Sequence, residues 1–114
     1  MTAKIIPLEA RAPGHLSPGA REWWRAITVE YSLDDDAGRL LLQTALEAFD
    51  RMRECQSAIS ADGMIVRGST RQPRSHPLLT VERDARSQML AALKALNLDL
   101  EPLRDRPGRP PGVR

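Results

Sequence analysis

Arginines are the residues of this chain best suited to chemistry, and their placement is uneven. Arg67, Arg71 and Arg74 fall within GMIVRGSTRQPRSHP (63–77), a stretch with no carboxylate. Arg104, Arg106, Arg109 and Arg114 lie in the last segment, 102–114, against Asp105 alone. Lys4 and Arg11 sit near the start with Glu9. The remaining segments, 17–62 and 78–101, carry eight basic residues against thirteen acidic ones, a balance of −5 in a chain whose net charge is +2. A guanidinium stays charged at every relevant pH, and its planar fork pairs two phosphate oxygens at once. Arginine-rich irregular segments beside an acidic body therefore suit the backbone of double-stranded DNA, a fit multiplied when copies assemble. The candidate DNA contacts are Arg67, Arg71, Arg74, Arg104, Arg106 and Arg109, with Lys4 and Arg11 as weaker ones. A plainer reading leaves these loops merely solubilising.

Other chemistry finds little support. The sequence contains no GxxxxGK[ST] phosphate loop, GxSxG elbow or HExxH pair, so no catalytic site and no cofactor are expected. Cys55 is the only cysteine, which excludes an internal disulfide or a cysteine-based zinc site and suits a reducing, cytoplasmic setting. No apolar run is long enough for a signal peptide or a membrane span. Asp34, Asp35 and Asp36 form the one carboxylate cluster. A divalent ion is conceivable there, but acids at a helix start also complement the helix dipole without metal. His76, just before Pro77, is expected to cap a helix. Trp23 and Trp24 have the surface to stack on bases, yet they share a stripe with Ile27 and read as core.

These residues need elements to hold them. Residues 1–16, with Pro7, Pro13 and Gly14, read as a flexible arm. Ser17-Pro18 starts a helix over about 18–31, because serine caps free amides and proline loses nothing at the first position. Ala20, Trp23, Trp24, Ile27 and Tyr31 recur on one face of it. A second helix over about 35–61 carries Ala37, Leu41, Ala45, Ala48, Met52, Cys55 and Ile59 at steps of three and four, a seam like that of a coiled coil. On its exposed side Glu47 and Arg51 form an i, i+4 pair. The connector 63–76 reads as a β-hairpin or an extended tongue, with Met64-Ile65-Val66 as strand and Gly68-Ser69 as turn. A third helix over about 77–97 has Leu78, Val81, Ala85, Met89, Ala92 and Leu96 on one stripe and Leu79, Leu90 and Leu93 on a second.

The expected fold is thus mostly α. It comprises a short N-terminal helix and a long antiparallel helical hairpin in an assembly domain over 17–101, flanked by basic tails. Two stripes on the third helix are more than one antiparallel neighbour covers, so self-association into a closed oligomer is expected. Leu41, Met52, Ile59, Met89, Leu93 and Leu96 are the candidate contacts. Helix one, the turn and helix two do not read as a DNA-binding helix-turn-helix. The N-terminus of the second helix would enter the major groove there, and here it is three aspartates. The tail 102–114 is too rich in Pro and Gly to pack and reads as disordered. Its Arg106-Pro107-Gly108-Arg109-Pro110 resembles the core of AT-hook peptides incompletely, because proline precedes the glycine.

Over residues 15–102 the chain resembles the small terminase subunit of tailed bacteriophages and prophages. The matching positions are Leu16, Ser17, Pro18, Ala20, Trp23 and Trp24, then Gly63, Pro73, His76 and Pro77, then Glu82, Arg83, Ala85 and Leu98. The resemblance implies a non-catalytic, ring-forming component of a DNA-packaging machine. Such a subunit recognises viral DNA and recruits or regulates a large subunit that holds the ATPase and nuclease. It carries over no individual DNA-contacting residue. A head–tail connector or structural adaptor, and a small transcriptional regulator or antitoxin, are the other classes this sequence allows.

Overall fold

The structure, a computed structural model, describes residues 11–98. Three helices and one two-stranded antiparallel sheet follow in order: α1 (Pro18–Glu30), α2 (Asp36–Asp62), β1 (Ile65–Arg67), β2 (Pro73–Ser75) and α3 (Leu78–Leu96). The mostly helical fold and the small β-hairpin agree with the sequence reading. Lys4 and the whole segment 102–114 lie outside the described residues.

Each helix starts where its own side chains satisfy free amides. The Ser17 hydroxyl accepts from the Ala20 amide at 3.1 Å, and Pro18 follows as the first helical residue. Asp35 caps α2, its carboxylate accepting from the Gly38 amide at 2.8 Å. Asp36 pairs with Arg39 at 3.1 Å, and the same guanidinium donates to the Asp34 carbonyl at 2.6 Å. The aspartate cluster therefore builds the start of α2. The helix ends at Gly63, whose φ of 86° and ψ of 156° lie in a region that side chains exclude.

Helix α2 is the central element. Its 27 residues reach about 40 Å at ~1.5 Å per residue, and both other helices pack on it. Helix α3 runs antiparallel to it: His76, at the start of α3, bonds Asp62 at the end of α2, whereas Leu96 packs on the cluster around Leu42. Ala45, Ala48, Met52 and Cys55 of α2 and Ala85 and Ala92 of α3 are buried. These residues are mostly small, which suits close approach of two helix backbones. Gln56 donates across the pair to Glu82 at 3.1 Å.

Periodicity missed a second stripe on α2. Leu42 and Leu46, absent from the seam, are buried with Leu16, just ahead of α1, and with Ala20 and Trp24, the inner face of α1. Leu41 and Ile59 are only half-buried, and Ala37 is exposed. The seam at steps of three and four finds one covered face, whereas α2 is covered on two. The Trp pair needs a correction of the same kind. Trp24 is 2% exposed and belongs to the core; Trp23 is 54% exposed, because successive helical residues point about 100° apart and α1 has a single inner face. Leu90 of α3 is likewise exposed.

Polar contacts fasten α1 to α2. Asp50 of α2 accepts from the Ser17 amide at 2.9 Å and from the Ser17 hydroxyl at 2.5 Å, so one serine caps its own helix and docks it. Beside it, Glu47 accepts from the Gln43 amide at 3.0 Å and bonds His15 at 2.7 Å. The expected Glu47–Arg51 pair is replaced by these contacts, and Arg51 contributes only a weaker electrostatic pull. Hydrogen bonds from Gln43 and then His15 lower the Glu47 pKa below its ordinary value.

Two outcomes follow from this docking. Asp50→Ala should destabilise the protein by about 1–3 kcal/mol, the range for losing charge-assisted hydrogen bonds from partly buried donors, measured by denaturant unfolding. Because Glu47 is depressed in the folded state, its contribution is present above the ordinary glutamate pKa and is lost as pH falls through the depressed value. Gln43→Ala should move the Glu47 titration upward, followed by carboxyl-carbon NMR.

Candidate nucleic-acid interface

Residues 63–77 leave the end of α2 and return to the start of α3 as a β-hairpin, and His76 holds its base. The His76 side chain is 6% exposed. Its backbone amide donates to the Met64 carbonyl at 2.7 Å, closing the two ends of the hairpin. The ring Nδ1 accepts from the Leu78 amide at 3.0 Å, which caps α3, and Nε2 lies 2.9 Å from the Asp62 carboxylate. With Nδ1 accepting, Nε2 carries the proton and donates to Asp62. One residue therefore joins the end of α2 and the start of α3 through its ring and closes the hairpin through its backbone. Pro77 sits at the helix cap without a side-chain bond of its own, so the capping expected near it is supplied by His76.

The strands pair Ile65 with Ser75, Val66 with Arg74 and Arg67 with Pro73. Cross-strand partners share a face and neighbours along a strand alternate. Arg67 therefore shares one face with Ile65 and Pro73, and Arg74 lies on the other with Val66. At the tip, the Gly68 amide donates to the Gln72 carbonyl at 2.8 Å and the Arg71 amide to the Gly68 carbonyl at 2.9 Å. These bonds enclose a three-residue loop, Ser69-Thr70-Arg71. The last position of such a loop is left-handed and favours glycine; here Arg71 occupies it, with φ of 69°. The Arg67 guanidinium donates to the Arg71 carbonyl at 2.9 Å, a bond that braces the tip.

All three hairpin arginines are exposed. None has an ion-pair partner among the described residues. On the helices Arg39, Arg83 and Arg86 pair with Asp36, Asp84 and Glu82, while Arg21, Arg25, Arg51, Arg53 and Lys94 form no salt bridge among the described residues but stand among the acids of the helical body. The hairpin brings Arg67, Arg71 and Arg74 onto one arm but spreads them over two faces and a tip. Arg11 is exposed ahead of α1. Lys4, Arg104, Arg106 and Arg109 lie outside the described residues.

A second feature is apolar. Between α1 and α3, above α2, lies an open groove of about 270 Å³ lined by Trp23, Ile27, Ala45, Leu46, Phe49, Met52, Met89 and Leu93. Of the candidate contact residues, Met52 is buried at its floor, Met89 and Leu93 are half-buried in its wall, and Leu96 packs on the core. Leu41 and Ile59 are half-buried elsewhere on α2. The sequence reading did not include Trp23 in this role. Its helical spacing matches that of a core residue, and only the placement of α3 leaves it at a rim.

The chain matches, over residues 20–102, the family described as phage terminase, small subunit. It belongs to that family. No curated protein and no solved structure matches it. The match spans all of α2, the hairpin and α3 and most of α1, and it places this small terminase subunit in phage DNA packaging. Among the described residues no helix is long and apolar enough to cross a membrane.

Arg71 provides a direct check on the hairpin geometry. A left-handed non-glycine residue costs about 1–2 kcal/mol, so Arg71→Gly should protect the Gly68 and Arg71 amides from hydrogen exchange. The expected gain is about 1 kcal/mol of local stability.

Proposed function

We propose that this small terminase subunit assembles into a closed ring, binds duplex DNA through its basic irregular segments, and presents that DNA to the large packaging subunit, whose activity it regulates. The observation that carries the DNA reading is the hairpin arm. Its three arginines have no carboxylate within 63–77 and no ion-pair partner among the described residues, while the helical segments carry a balance of −5. Phosphates are repelled by the body and attracted to the arm. Arg104, Arg106 and Arg109 extend the same chemistry, with Lys4 and Arg11 as secondary contacts. These contacts set affinity more than sequence preference.

The ring reading is supported by the groove between α1 and α3. One copy leaves Trp23, Met89, Leu93 and the neighbouring Leu90 open to water at least in part, and a second copy of the chain is the occupant proposed for that face. Large exposed apolar patches mark association sites. No catalytic role is assigned to the chain; nucleotide hydrolysis and DNA cleavage belong to the large subunit.

One preparation tests both halves. Light scattering on the full chain at micromolar concentration should give a discrete species well above a dimer. Leu93→Asp should dissociate or unfold it, since a buried unpaired carboxylate costs several kcal/mol, roughly 3–5. A salt titration of duplex binding should give a log–log slope of about −0.9 per phosphate neutralised. Neutralising Arg104, Arg106 and Arg109 should flatten that slope and leave the oligomer intact. A monomer at all concentrations removes the ring. An oligomer without salt-sensitive duplex binding points instead to a head–tail adaptor.

A further inference from the structure

The arrangement of the three hairpin arginines is unsuited to a flat contact. By the strand register, Arg67 and Arg74 stand on opposite faces of the ribbon, and Arg71 stands at its tip. A ribbon laid on a row of phosphates would turn one of its arginines away. A groove has two phosphate walls, and a ribbon standing in it meets one wall with each face.

The dimensions agree. From the Met64–His76 closure to the Gly68–Gln72 pair the hairpin rises about 13 Å at ~3.3 Å per residue. The major groove is roughly 12 Å wide and 8.5 Å deep and admits a two-stranded ribbon. The arm is also free to enter: its residues are exposed except for half-buried Val66 and Gly68, and its strands pack extensively only on each other. His76 anchors its base to both long helices. The tip carries Ser69, Thr70, Arg71 and Gln72, all exposed and all able to hydrogen-bond base edges. An arginine sits at the left-handed tip position that glycine fills more easily, and its carbonyl is held by Arg67.

We propose that this β-hairpin enters the major groove of duplex DNA tip-first, with Arg67 and Arg74 on the two phosphate walls and Arg71 reaching the base edges. The inference rests on the reading of the chain as a duplex-DNA binder and adds the groove, the orientation and the role of each arginine. Met64 and Ile65, exposed at the root of the arm, are the features that favour a protein partner there instead, and the test separates the two.

Two duplexes of the same sequence serve as probes, one with plain cytosines and one with glucosylated hydroxymethylcytosines that fill the major groove. The full chain should bind the filled duplex at least tenfold more weakly, and a ligand filling the minor groove should leave its affinity for plain duplex unchanged. Arg67→Ala with Arg74→Ala should flatten the salt slope by about 1.8, two phosphates at ~0.9 each. Arg71→Gly, which keeps the hairpin and its two wall contacts, should weaken binding to plain duplex by about fivefold or more, the loss of a base-edge contact, while leaving the slope within one phosphate of wild type. Equal wild-type affinity for plain and filled duplex, with salt-sensitive binding retained, overturns the insertion and leaves DNA binding standing. No binding to any duplex removes both. Hairpin variants that change the oligomeric state and leave DNA affinity unaltered assign the arm to a protein contact and overturn the insertion as well.

Discussion

Helix α2 cannot cover itself. Its 27 residues present one apolar stripe through Ala45, Ala48, Met52 and Cys55 and another through Leu42 and Leu46, and both must leave water for the chain to fold. Helix α3 covers the first, and α1, joined by Leu96 at the end of α3, covers the second, so both other helices pack on α2. Leu42, at 0% exposure, marks how tightly the second contact closes. The polar contacts of Ser17 and Asp50 then fix where α1 begins on that surface, so a cap and a tertiary contact share one serine.

The same constraint shapes what remains open. Two helices set on different faces of a third leave a furrow between them, and here its walls are apolar from Trp23 to Leu93. In a monomer that furrow is a cost; in the proposed ring it is a socket. Small residues on the α2–α3 seam bring those two helices close, so the larger side chains Met89, Leu90 and Leu93 are left toward the flank.

Charge follows a comparable division. The acids of the helical body are used locally: Asp35 caps α2, Asp36 holds Arg39, Asp62 holds His76, and Glu82 meets both Gln56 and Arg86. The hairpin has no acids to spend in this way, so its arginines face solvent. A member of the phage small terminase family thereby carries unpaired cations on an arm whose root is clamped by a single buried histidine, through both its ring and its backbone amide. Rigid anchoring at the root matters because a short ribbon holds its arginines in register only if its base does not swing.

Local chemistry made much of this legible from the sequence alone. Ser17-Pro18 and Asp35 announce their helices because capping depends on residues within one turn. Gly63 marks the end of α2 because its backbone region excludes side chains, and the absence of acids from 63–77 is a fact of composition. The hairpin, too, is written in neighbouring residues. Long-range choices were not legible. Which of Trp23 and Trp24 is buried depends on where α1 lies on α2, and the two differ only by a rotation of about 100°. That α2 has two covered faces, that Glu47 meets His15, and that His76 reaches Asp62 all depend on partners distant in the chain. Gln43 and Arg51 stand equally near Glu47 in sequence, and only the structure shows that Gln43 makes the bond. The opposition of Arg67 and Arg74 lies between these cases. Alternation along a strand is local, but only the pairing of Val66 with Arg74 decides which face each one takes.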